Sequence, residues 1–79
     1  LTVALQALTV AISDESRARR LLELSGLSPD DLRSRATEPA VLAAVLGFLE
    51  AHEPDLVSVA HAIGRKPEEL VAARSALEA

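Results

Sequence analysis

His52 and His61 lie near carboxylates at Glu50, Glu53 and Asp55, and a metal site can be drawn from these residues more readily than from any others in the chain. A protein zinc site needs three or four ligands whose side chains converge. Here the two imidazoles stand nine residues apart, one closing a helical pattern and one on the polar side of the next. Neither spacing nor ligand count fits a known site, so no metal is expected. Nucleophilic chemistry fares no better. The chain has no Cys, and its Ser and Thr hydroxyls fall at helix starts or on polar stripes. Without a Gly-rich phosphate loop or a legible nucleophile–base pair, no catalytic residue and no cofactor is expected.

Two binding chemistries remain. Arg17, Arg19 and Arg20, with Arg33 and Arg35 beyond a turn, form a candidate basic patch that would suit an acidic partner or RNA. The competing reading is a solvated helix face, with Glu23 three and four residues from Arg20 and Arg19 and ordinary surface pairing between them. The second chemistry is helix-turn-helix-like binding of nucleic acid by residues 54–78. Val59-Ala60, Ile63-Gly64, Pro67 and Leu70 have suitable spacing, but the second helix would meet phosphate with Glu68 and Glu69 foremost. Only Arg65, Lys66 and Arg74 offset them. A net charge of −4 argues in the same direction, against nucleic acid and against an anionic membrane surface.

These residues must be carried by helices. Apolar residues make up 49% of the 79, mostly Ala and Leu, strong helix formers. The chain is organised around Thr37–His52, whose Ala40–Leu49 stretch is ten consecutive apolar or Gly residues. That is about half the roughly 20 residues a bilayer span needs, so a buried helix of a water-facing domain is expected, capped by Thr37. Its bulky side is Val41, Leu42, Val45, Leu46, Phe48 and Leu49. Its other side is small: Ala40, Ala43, Ala44, Gly47 and Ala51. Ala40, Ala43 and Gly47 are a candidate interface. The neighbour there is either another helix of this chain, such as the first, or a second copy in a homodimer.

The flanking elements follow from local signals. A first helix over 1–12 has polar residues at Thr2, Gln6, Thr9 and Ser13, one narrow stripe. Ser13 is expected to cap a second helix, with Ala18, Leu21 and Leu22 inward and Arg17, Arg19, Arg20 and Glu23 outward, ending at Gly26. Ser28-Pro29-Asp30-Asp31 starts a short third helix, over 29–36, by capping hydroxyl, N1 proline and acids. A fifth is expected over 54–63 and a sixth over 67–78, with Leu70, Val71, Ala73 and Leu77 inward. Gly26-Leu-Ser-Pro29-Asp-Asp-Leu32 is echoed 38 residues later by Gly64-Arg-Lys-Pro67-Glu-Glu-Leu70. The expected architecture is one all-α domain over 1–79, a small orthogonal bundle of five or six short helices around residues 38–52.

Ala4-Leu-Gln-Ala-Leu8, Leu24-x-Gly26-Leu27-x-Pro29-x-Asp31-Leu32-Arg33, Val45-Leu46-x-Phe48-Leu49, Glu53, Asp55-Leu56, Gly64 and Ala73-Arg74 together resemble the bacterial domain-of-unknown-function family numbered 3572, found mainly in alphaproteobacteria. The resemblance implies a short cytosolic helical protein and supplies no functional residues. The chain begins at Leu1 and contains no Met, so a native N-terminus is expected ahead of it. Together these observations lead to an expected cytoplasmic protein-interaction or adaptor module without catalysis, whose partner the sequence does not name.

Overall fold

The computed structural model describes residues 2–79, and among them the secondary structure is six helices: α1 (Thr2–Ala11), α2 (Glu15–Ser25), α3 (Pro29–Ser34), α4 (Pro39–Ala51), α5 (Glu53–Ala62) and α6 (Pro67–Glu78). The expected start of the first helix at Leu1 lies outside the described residues. The fold is all-α, and α4 is its longest helix. It packs against α6 most extensively and against α1, α2 and α5 as well. All six residues assigned to its bulky side are buried. Leu42, Val45, Leu46, Phe48 and Leu49 join Ala4, Ala7 and Leu8 of α1, Leu21 of α2, Leu56 and Val59 of α5 and Leu70 of α6 in one apolar cluster. The polar stripe of α1 faces solvent at all four positions. α3 has no fully buried residue, and leans on the core through Leu32 with Ala36 just beyond it.

The turns hold where local chemistry dictates them. Gly26 and Gly64 both adopt left-handed backbone, at φ 76° and 70°. The two echoed joints share atomic detail. Asp31 Oδ2 accepts from the Ser28 N–H at 3.0 Å and Glu69 Oε2 from the Lys66 N–H at 2.8 Å. In each case the third residue of the helix reaches back to satisfy the N–H of the cap residue. In the first joint the Ser28 hydroxyl also accepts from the Asp31 N–H at 3.1 Å.

Two caps differ from expectation. The N-cap of α2 is Asp14, whose Oδ1 accepts from the Arg17 N–H at 3.0 Å. Ser13 instead donates its hydroxyl to the Val10 carbonyl at 2.6 Å, closing α1 behind it. The N-cap of α4 is Glu38 rather than Thr37, and it makes no side-chain cap bond. Its carboxylate accepts twice from the Arg35 guanidinium, at 3.0 and 3.1 Å, and a charge-assisted pair of this kind outcompetes a single backbone N–H.

The Arg17 N–H holds the Asp14 carboxyl below its ordinary value of 3.8. A carboxyl depressed in the folded state stabilises the fold above its unfolded value and ceases to do so as pH falls through the folded one. The advantage of the native chain over Asp14→Asn, which keeps the cap without its charge, is therefore expected at pH 7 and shrinks as pH drops below 3.8. Urea midpoints of the two chains at pH 7, 4 and 3 check this. A constant gap across that range removes the charged cap as its cause.

Candidate functional site

The small side of α4 forms the floor of an open groove of about 940 Å³ whose far wall is α6. Pro39, Ala40, Ala43, Ala44 and Gly47 line the α4 side, and Leu77 lines the opposite wall. Glu50, Arg74 and Glu78 complete the lining. Arg74 donates Nε and Nη2 to Glu50, the latter at 3.2 Å, and Nη1 to Glu78. These bonds raise the Arg74 pKa further, the Glu50 hydrogen bond foremost.

Arg74 belongs to the inward face of α6 because Leu70, Ala73, Arg74 and Leu77 recur at the 0, 3, 4, 7 spacing of a helix stripe. Val71, expected inward, stands off that stripe and is exposed. The same periodicity was available in the sequence, but a charged residue on it reads as surface until Glu50 is found opposite.

The candidate interface residues are thus brought together: Ala40 is exposed, and Ala43 and Gly47 are half-buried. Their intramolecular neighbour is α6. A Cβ built on Gly47 meets only Arg74 Cδ beyond its own helix, at 3.8 Å, an ordinary van der Waals contact. Packing within the chain does not require glycine there. Gly47→Ala is therefore expected to stabilise the chain by up to about 1 kcal/mol through helix propensity, roughly 4–8 °C in Tm for a domain of this size. A thermal melt followed by circular dichroism reads it, and a lowered Tm would show that the neighbours of Gly47 are closer than the structure has them. A second, smaller groove shares Ala44 and Gly47 and is completed by Leu24, Ser25, Phe48, Ala51 and His52. Leu24 on its rim is 64% exposed.

The five arginines do not gather into one basic patch. Arg17, expected outward, is buried, donating Nε to the Ala11 carbonyl at 3.1 Å and Nη2 to the Val10 carbonyl at 3.4 Å. Arg20 clasps Asp55 through two bonds, at 2.8 and 3.3 Å. Arg19 pairs with Glu15, Arg33 with Asp30, and Arg35 with Asp31 and Glu38. Glu23 takes no part in these pairs. Sequence distance hides the Arg20–Asp55 contact, which joins α2 to α5 across 35 positions.

The histidine–carboxylate group is also dispersed. Glu50 belongs to Arg74 and Asp55 to Arg20. His52 donates Nδ1–H to the Phe48 carbonyl at 3.1 Å, since a carbonyl only accepts, and so caps the C-terminal turn of α4. On the helix-turn-helix-like unit, Glu68 and Glu69 are exposed at the start of α6, Arg65 pairs with Glu69, and Arg74 turns inward. Its charge thus opposes phosphate more than the count of basic residues suggests.

The family described as "Protein of unknown function (DUF3572)" matches residues 1–79. The chain belongs to that family. No curated protein and no solved structure matches it. Among the described residues no helix is long and apolar enough to cross a membrane.

Proposed function

We propose that this protein is a cytoplasmic interaction module without catalytic chemistry, binding a partner protein across the small side of α4. Gly47 carries the reading. A mid-helix glycine costs roughly 1 kcal/mol relative to alanine, and the nearest atom of α6 leaves room for the missing methyl. A partner backbone approaching from outside gives the residue a reason that internal packing does not. The open groove beside it supports the same reading. The absence of catalysis is supported by what the charged groups do: Glu50, Asp55, Asp31 and Glu38 each hold an arginine.

The test is site-specific photocrosslinking in the producing cell. A crosslinking residue replaces Ala43, and a control replaces Ser58, exposed on α5 outside the groove. Position 43 is expected to give one discrete adduct, lost when Gly47→Leu fills the floor, while position 58 gives none. An adduct of twice the chain's mass makes the partner a second copy. Equal, diffuse labelling from both positions overturns the reading.

A further inference from the structure

We infer that the occupant of the α4–α6 groove is a cationic amphipathic helix, its apolar stripe on Ala43 and Gly47 and a flanking lysine or arginine set against the Glu50–Arg74–Glu78 wall. This rests on the interaction reading above and commits it to one chemistry. The wall holds two carboxylates and one guanidinium. Arg74 divides its donors between Glu50 and Glu78, which leaves the group one negative charge in excess. With side chains 22% and 53% exposed, Glu50 and Glu78 both line the groove, one largely withdrawn from water and one open to it. A charge in such a place attracts a counter-ion more strongly than the same charge in bulk water.

Among the described residues, Arg74 is the one cation paired with Glu50 or Glu78. Arg35 is held by Asp31 and Glu38, and Arg65 by Glu69. The whole chain carries −4, so the long-range field has the same sign as the wall and draws a cationic partner while repelling a second copy. Length and shape complete the fit. From Ala40 to Glu50 the floor runs for ten residues, about 15 Å, or roughly three turns of a docking helix. Small side chains let that helix lie close, and Leu77 offers an apolar contact from the other wall, which is the helix-in-groove mode of recognition.

The probe is a phage-displayed library of amphipathic 16-residue helices with a fixed Ala/Leu stripe and flanks drawn from Lys, Gln and Glu. It is panned on the full chain, on Glu78→Gln and on Gly47→Leu. Sequences retained by the native chain are expected to favour Lys over Glu on one flank by about three- to fivefold, the size of one partly exposed ion pair. That preference should fall toward unity on Glu78→Gln and in high salt, and Gly47→Leu should retain nothing above background. Retention without a Lys preference, or a preference that survives Glu78→Gln, overturns the cationic partner while leaving the position-43 adduct and the interaction reading intact. No retention by the native chain overturns it as well. Loss of the position-43 adduct overturns both.

Discussion

Leu46→Ala is expected to lower stability by about 3 kcal/mol. Leu46 is fully buried on the bulky side of α4, within the cluster that joins α1, α2, α5 and α6. Truncating such a leucine removes its burial and leaves a cavity, together worth roughly 2–5 kcal/mol. Chains of this size have only about 4–12 kcal/mol in hand at 0.05–0.15 kcal/mol per residue, so this one change removes a large share. In urea, with a slope of roughly 1 kcal/mol per molar for a small protein, the midpoint falls by about 3 M. The chain has no Trp or Tyr, so far-ultraviolet circular dichroism is the probe. Leu24→Ala is the control, since Leu24 is mostly in water and surface changes are usually within about 0.5 kcal/mol. If the two truncations cost the same, α4 is not the centre of the core.

The second large effect is Asp55→Ala, with an expected loss of about 2 kcal/mol by the same measurement. Asp55 is 15% exposed and accepts both Arg20 bonds, while Arg17 Nη1 lies 3.9 Å from it. Arg17 is the reason the loss is large. Its guanidinium is buried against the last carbonyls of α1, and Asp55 is its counter-ion. Removing one partner of a buried pair leaves a charge uncompensated, typically at 3–5 kcal/mol. Two features reduce that here. Arg20 is 41% exposed and can turn to water, and Arg17 keeps its carbonyls at the negative end of the α1 dipole. Arg17→Met combined with Asp55→Leu should cost less than the sum of the single changes, because neither charge is then stranded. Additive losses would show that Arg17 and Asp55 do not act together.

Much of the fold was legible because it rests on rules that act within a few residues. Val41, Leu42, Val45, Leu46, Phe48 and Leu49 declare the buried side of α4 by periodicity alone. Gly26 and Gly64 declare left-handed turns, and Ser28-Pro29-Asp30-Asp31 declares its helix start. The floor of the groove was legible for the same reason, as Ala40, Ala43 and Gly47 share one side of one helix. Misreadings arose where a polar side chain had two offers. Ser13 and Thr37 look like caps, yet Ser13 bonds back to Val10 and leaves Asp14 to cap α2, and α4 takes Glu38 as its cap residue, one position beyond Thr37.

The sequence by itself thus determined an all-α chain of five or six short helices, most of their stops and the two-sided character of α4, because hydrogen bonds and side-chain spacing along a helix are local. Only the tertiary structure decided what the small side of α4 faces. It set α6 rather than α1 beside Gly47, placed Arg74 across from Glu50 at a separation of 24 residues, and buried Arg17 at the end of α1. Periodicity says which face of a helix turns inward, but not which helix meets it or at what height. That register is fixed by the packing of all the helices at once, and the groove's excess negative charge is a consequence of it.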